Sequence, residues 1–324
     1  MAIFTNTMYV TEDTDQYDIE PTFEGSAKIL YEFSSDVYKL ISGMYVADVM
    51  IESAVSEGAT NADILVEETE ESFKTKMVNT FKKLATKIKE WFRKIIEHLD
   101  YLAKGYKRFV TKNEKQINKN FDTMGGKITI STNDLNDPYP LQSVEIMKRT
   151  YNNYIRTIME ESYNSLDKHR EELDKRFYRL LVVLTSNIDA KDISSIKQHI
   201  YRNDFHIISE PLNDVTSLSD YIDNLKSGDD VIKEFKDKEQ TTLKLIDSVI
   251  KLINTEKYRY DIKTLSEINI YFSKCINLVQ TLTAIFIEGV KSSMNQSYII
   301  LKKILTYKPA KESFNIFESA LGVL

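Results

Sequence analysis

Residues that interrupt regular structure are scarce in this chain, and their scarcity constrains the fold more than any other feature. The 324 residues include only 9 glycines and 5 prolines. A chain with so few breakers forms long uninterrupted elements, and its apolar residues recur every three or four positions, as in helices. The sequence therefore predicts an all-α protein of long antiparallel helices packed in one or two bundles.

The clearest interruption is the stretch DTMGGKITISTNDLNDPYPLQ, which covers residues 122–142. Its paired glycines, two prolines and alternating KITIS run are typical of an irregular linker with an edge strand or a small β-hairpin. We interpret it as the boundary between two helical parts. The predicted order is an extended acidic arm at 1–22, a helical part at 23–121, this linker, and a helical bundle at 143–324.

Apolar spacing predicts individual helices within both parts. These helices cover about residues 26–56, 62–120, 191–202, 214–226, 229–254, 259–306 and 312–321. Between the linker and residue 184 a single helical stripe is predicted. Its members are Ile146, Tyr154, Ile158, Leu166, Leu173, Phe177, Leu180 and Leu184.

Charge is arranged in blocks along the first third of the chain. Residues 1–72 contain 16 acidic residues and 2 lysines, whereas residues 73–119 contain 14 Lys or Arg residues and 4 acidic ones. Adjacent blocks of opposite sign favour pairing of the two segments within the fold, although such blocks also serve as interaction tails. Whether residues 1–22 are ordered alone or only against a neighbouring chain stays open, and their strand-like character and charge suggest a docking arm.

The stretch from residue 72 to residue 102 is a basic amphipathic helix. At about 100° per residue, its apolar side chains share one sector that lysines flank on both sides. Members of this sector include Phe73, Met77, Phe81, Leu84, Ile88, Trp91, Ile95 and Leu99. A bundle helix, a membrane-surface helix and a nucleic-acid contact can all show this pattern. The bundle is favoured because the aromatics lie in the apolar sector and Glu90 and Glu97 interrupt the polar face.

Further along the same helix, fewer acidic residues lie between the basic ones. The basic residues there are Lys104, Lys107, Arg108, Lys112, Lys115 and Lys119. We take them as a candidate interaction surface. Contact with nucleic-acid phosphates is an alternative use that the sequence does not favour.

Motifs that carry catalytic or cofactor chemistry are missing from the sequence. It contains no P-loop, dinucleotide-binding, nucleophile-elbow or HExxH pattern. His199 and His206 are seven residues apart, so a metal site there needs a third ligand from elsewhere. The single cysteine, Cys275, lies in an apolar helical run and is expected to be a buried thiol. We expect no enzymatic activity, no metal and no cofactor.

The most apolar stretch, INLVQTLTAIFIEGV at residues 276–290, is interrupted by Asn277, Gln280 and Glu288. It predicts a buried core helix and no membrane span. The first residues lack the basic start and apolar stretch of a signal peptide. A pore-forming type of membrane-active protein is an alternative, with this stretch or residues 77–102 as the inserting segment.

Tyrosine is abundant, with 19 residues, and its apolar ring with a polar tip suits protein–protein contacts. Those in the second part often lie at the edges of the apolar stripes of predicted helices, where the apolar and polar faces meet. They are Tyr151, Tyr154, Tyr163, Tyr178, Tyr201, Tyr221, Tyr258, Tyr260 and Tyr271. Long helices with no recognisable site and many edge tyrosines indicate an assembly component rather than an enzyme.

One region also resembles a known class of proteins. The acidic ILVEETEES followed by FKTKMVNTFKKLATKIKEWFRKIIEHL, within residues 26–102, resembles virion structural proteins of large tailed bacteriophages. In these, a glutamate-rich stretch precedes a helix of the FxxKIKxWFxKI type. The resemblance implies a capsid- or tail-associated or internal head protein, assembled into the virion in the host cytoplasm. Its implied partners are other virion proteins or further copies of itself, and a DNA-contacting internal head protein is a further alternative.

Overall fold

The structure is a computed structural model, and it describes only part of the chain. The described residues are 62–130, 143–167, 172–187, 189–190, 193–200, 215–255 and 262–308. The predicted arm at 1–22 and the predicted helices at 26–56 and 312–321 lie outside them. Within the described residues the fold is all-α, as the apolar spacing predicts.

The described residues form seven helices. They are α1 (Ala62–Thr123), α2 (Val144–Asp167), α3 (Leu173–Thr185), α4 (Ile193–His199), α5 (Ser219–Lys226), α6 (Gly228–Asn254) and α7 (Ile262–Leu305). α1 has 62 residues, so at about 1.5 Å per residue it is about 93 Å long. The bounds predicted for α1, α6 and α7 agree with the structure to within three residues at each end.

α1 packs along α6 in the antiparallel direction. Ala103, in the second half of α1, lies against Gly228 at the start of α6. Earlier in α1, Lys89 lies close to Glu239 of α6. Burial raises the pKa of Glu239, and the positive charge of Lys89 opposes this rise. The added Cβ of an alanine at position 228 would lie 2.3 Å from the Ala103 Cβ, so the two backbones approach closely there. A glycine at this position permits the crossing.

α7 is the central helix, because it contacts each of the other six described helices. It is parallel to α1, since Tyr106 packs on Tyr298 with ring centroids 5.6 Å apart, and further along Asn120 donates to the backbone oxygen of Ile304 at 3.0 Å. It is antiparallel to α2, where a buried hydrogen bond of 2.8 Å joins the hydroxyls of Tyr151 and Thr283.

The linker divides the helices in sequence, whereas packing unites them. Ile88 and Val110 of α1 belong to the same buried cluster as Phe235 of α6 and Leu278 of α7. The helices on both sides of the linker therefore share one hydrophobic core.

The described start of the linker is a glycine turn followed by a long-range pairing. Gly125 and Gly126 have φ of 79° and 68°, a left-handed conformation that glycine adopts without strain. After the turn, Ile128 forms an isolated antiparallel bridge with Val215, with N–O distances of 3.1 and 2.8 Å. The sequence leaves open an edge strand or part of a small hairpin here, and in the described residues 127–130 the pairing partner of Ile128 is a distant segment. Residues 131–142 lie outside the described part.

The single helical stripe predicted between the linker and residue 184 is incorrect in two respects. Two helices, α2 and α3, replace it, and Glu172 before α3 has a left-handed φ of 38°. Ile146 does not belong to the buried face, since it is 55% exposed. The buried apolar face of α2 consists of Val144, Met147, Tyr151, Ile155, Ile158 and Met159.

Candidate interaction surface

The candidate basic residues lie on the outer side of the second half of α1. The same helix turns Tyr106, Val110 and Ile117 inward, where all three are at most 1% exposed. The helical period therefore places the intervening polar residues in solvent. Lys104, Lys107, Arg108, Lys112, Lys115 and Lys119 are all exposed.

Two of these six residues already have carboxylate partners. Lys104 forms an ion pair of 2.5 Å with Asp100, one turn earlier on α1. Lys107 reaches Asp229 of α6 at 2.8 Å, and this hydrogen bond raises the pKa of Lys107. Both pairs are exposed, so solvent screens them and each contributes little to stability. Their charges are nevertheless partly satisfied within the chain.

The remaining four residues form a continuous basic stripe, which we define as Arg108, Lys112, Lys115 and Lys119. At about 100° per residue they occupy a sector about 60° wide, and they span about 17 Å of the helix axis. None of the four forms an ion pair with another residue in the described part of the chain. The nearest acid within the run, Glu114, is held on another face by Lys226 of α5 at 3.1 Å.

Aromatic residues near the basic stripe are mostly unavailable for stacking. Tyr106 is 1% exposed, and Phe109 packs edge-on against Tyr298 with centroids 4.8 Å apart. Tyr101, which is 51% exposed and lies on the same side of α1, is the exception in this region. Cations without a row of aromatics can bind acidic groups through charge, but they provide no platform for unstacked bases.

The predicted apolar sector of α1 faces the core. Phe73, Met77, Phe81, Leu84, Ile88, Trp91, Ile95 and Leu99 are all at most 5% exposed. Because this face is already covered, the described part of α1 offers its charged side for contacts. The lysines that flank the sector, such as Lys82 and Lys83, are exposed.

Tyrosines in the second part divide between the core and the surface. Tyr151 and Tyr271, expected at stripe edges, are buried, and burial raises the pKa of both phenols. Tyr163 and Tyr178 are 37% and 43% exposed. The other edge positions are Tyr154 and Tyr221, which are partly buried, and Tyr201, Tyr258 and Tyr260, which lie outside the described residues.

An open groove of about 670 Å³ lies between α2 and α6. Asn152, Arg156, Glu160 and Tyr163 line it from α2, and Lys238 lines it from α6. Among the described residues, no group of three or more His, Cys, Asp or Glu side chains is placed to hold a metal ion.

Histidine and cysteine positions add little to this surface. His206 lies outside the described residues, so its position relative to His199 is not described. Cys275 is buried as expected, and burial raises the pKa of its thiol to about 12. Such a thiol is protonated at neutral pH and is a poor nucleophile.

α7 is the one described helix that is long and apolar enough to cross a membrane by length and composition. In its most apolar stretch, 72% of the residues are buried within the protein. Some of its polar groups have a partner on another helix: the amide nitrogen of Asn224 on α5 lies 3.3 and 3.2 Å from the hydroxyls of Ser293 and Ser297. These partners favour a core helix, as the sequence predicts for residues 276–290.

A buried charge escaped notice in the sequence. Lys291 on α7 is 7% exposed, and its Nζ has no hydrogen-bond partner among the described residues. Burial lowers its pKa to about 8. On the facing helix α1, burial, with a smaller contribution from Lys291, lowers the pKa of His98 to about 4. The only sequence signal is a lysine one residue after the apolar stretch that ends at Val290.

Comparisons with protein-family models, with curated proteins and with solved structures gave no match to this chain.

Proposed function

We propose that this chain is a non-enzymatic structural protein of a bacteriophage particle. It acts through contacts between its helical surface and other particle proteins or further copies of itself. The particle assignment rests on the resemblance of residues 26–102 to virion structural proteins, and the mode of action rests on the surface of α1.

The basic stripe is the observation that supports this mode of action. Four adjacent cations stand on a rigid helix whose opposite face is locked into the core, and none is neutralised by the described residues. A rigid row of like charges costs self-repulsion unless an oppositely charged surface meets it. An acidic protein surface is such a partner, because charge complementarity steers its approach and fixes its register.

Nucleic acid is the second candidate partner, since phosphates also suit the basic stripe. The covered aromatics and the short length of the stripe favour an acidic protein surface instead. A membrane-active role is less favoured, because exposing α7 would break its hydrogen bonds to α2 and α5.

Light scattering after size-exclusion chromatography, at low and high protein concentration and at two salt concentrations, tests the mode of action. We expect the mass to rise with concentration and this rise to weaken at high salt, because salt screens exposed charges. A strict monomer under all conditions that also binds no particle protein contradicts the proposal.

A matched pair of variants identifies the surface. Replacing Arg108, Lys112, Lys115 and Lys119 by glutamine should abolish the salt-sensitive association. The control replaces four exposed lysines of α6, namely Lys233, Lys236, Lys244 and Lys251. It removes the same charge, so an equal loss in the control would show a general charge effect and no specific surface.

The particle assignment has a separate test. Quantitative mass spectrometry of purified particles of the phage that encodes this chain should find it at a fixed copy number. Its absence from purified particles would show that the assignment is wrong.

A further inference from the structure

The N-terminal segment of this chain has the charge that the basic stripe lacks. Residues 1–24 contain six carboxylates and no lysine, arginine or histidine. The acidic residues are Glu12, Asp13, Asp15, Asp18, Glu20 and Glu24. The segment lies outside the described residues, and the chain connects it to α1 through residues 25–61.

We propose that the acidic residues 12–24 bind the basic stripe of α1 within the same chain and cover it until a particle partner displaces them. The inference rests on the proposed function, because it names what regulates access to the same surface. It follows from charge complementarity and from the length of chain between the two segments.

The connecting chain has a length that suits this contact. Residues 26–56 are predicted to be helical, which gives them a length of about 46 Å. The SEGATN stretch lies between this predicted helix and Ala62, where α1 begins. If the predicted helix folds back along α1, residue 26 comes near the level of residue 93.

From that level, the basic stripe begins about 23 Å further along α1 and ends about 39 Å along it. An extended chain covers about 3.3 Å per residue, so the 12 residues from 24 back to 12 span about 40 Å. In that arrangement the carboxylates can reach the stripe along its whole length. A chain tethered at this distance acts at an effective concentration in the millimolar range, which favours the same chain over a second copy.

Cross-linking with a carbodiimide, which joins carboxylates directly to lysine amines, tests the contact in the full-length protein. An equimolar mixture of ¹⁴N- and ¹⁵N-labelled chains is used, and peptides are identified by mass spectrometry. We expect links from residues 12–24 to Lys112, Lys115 or Lys119, each within one isotopic label. Links between labels would place the segment on a second copy, and no links to the stripe would exclude the contact; either result overturns the proposal.

A full-length variant with the six carboxylates replaced by Asn or Gln supplies the functional readout. Retention on immobilised heparin, used as a polyanion, should shift to higher salt because the stripe is uncovered. Adding the four glutamine substitutions of the stripe should reverse the shift, whereas adding the α6 control substitutions should not. Unchanged retention of the six-site variant overturns the inference. The result is independent of whether the chain assembles, so failure of the proposed function is seen separately by light scattering.

Discussion

α1 and α7 are the two longest described helices of one core, yet their side chains are buried in different ways. On α1, Ile88 is fully buried while Glu90, about 200° away around the helix, is exposed. On α7, Ile276 and Leu278 are also about 200° apart, and both are 0% exposed. One face of α1 thus meets the core, whereas α7 is buried around most of its circumference.

This difference explains which of the two helices can present side chains to other molecules. α1 keeps a continuous outer face on which charges accumulate without a desolvation cost, and the basic stripe lies there. α7 instead buries polar groups at several positions, and at Thr283 and Ser297 another helix supplies the hydrogen-bond partner. The surface of the protein therefore carries the contacts, and α7 sets the arrangement of the helices that present them.

The largest expected effect is a direct test of this comparison by alanine substitution. Ile276→Ala and Leu278→Ala should each lower the free energy of unfolding by about 2–5 kcal/mol, because each leaves a cavity. Ile88→Ala should do the same, whereas Glu90→Ala should change it by less than about 0.5 kcal/mol. Urea unfolding followed by circular dichroism measures all four. A small effect at either α7 position would mean that this helix has a free face.

The close crossing of α1 and α6 gives a second test, directed at the one-sided contact of α1. Gly228→Ala should cost about 1–3 kcal/mol, because the new methyl group overlaps the Ala103 Cβ. Ala103→Gly in the same chain should restore much of the loss by removing the overlap. If the double variant is no more stable than Gly228→Ala in urea unfolding, the two residues do not meet as described.

The contrast between the helices also explains what the sequence could predict. The burial of α1 follows from its period, because one neighbouring surface selects one face. At the basic stripe the same period predicts exposure. The ion-pair partners of the neighbouring residues Lys107 and Glu114, however, come from α6 and α5, more than 100 residues later. No local pattern contains such pairings.

The errors have the same cause. Ile146 is apolar and at helical spacing from the predicted stripe, but the contacts of α2 with α7 and α6 select Val144 and Met147 instead. The pairing of Ile128 with Val215 likewise depends on how distant helices place the two segments. The fold class was predictable because breakers and periods are local properties, whereas registers between elements are not.

The hydrogen bond between Tyr151 and Thr283 tests how α7 tolerates polar groups. The Thr283 hydroxyl donates to the backbone oxygen of Val279 at 2.7 Å, so Tyr151 donates to Thr283. Thr283→Val should cost about 1–3 kcal/mol, because it leaves the buried Tyr151 hydroxyl without an acceptor. Tyr151→Phe combined with Thr283→Val should cost less than Thr283→Val alone. Equal or larger loss in the double variant, measured by urea unfolding, would show that the hydroxyl pair is not what matters.

The burial of Lys291 on α7 is expected to lower the free energy of unfolding. Its buried Nζ lacks a hydrogen-bond partner among the described residues, and the titratable groups near it are His98 on α1, which is neutral at pH 7, and Glu288 on α7. Lys291→Met keeps the length of the side chain and removes the charge. At pH 7 it should raise the free energy of unfolding by about 1 kcal/mol.

The same substitution has a pH signature. Burial lowers the pKa of Lys291 to about 8 in the folded chain, below its ordinary value of 10.5. The unfolded chain then binds more protons between these values, so stability should rise as the pH increases from about 8 toward 10.5. Buried tyrosines, whose pKa is raised, oppose this rise above about pH 10. Urea unfolding between pH 7 and 9.5 should therefore show a rise in the native chain that Lys291→Met lacks and Lys244→Met on α6 retains. An identical rise in all three chains would place the titrating group elsewhere and leave α7 without a destabilising charge.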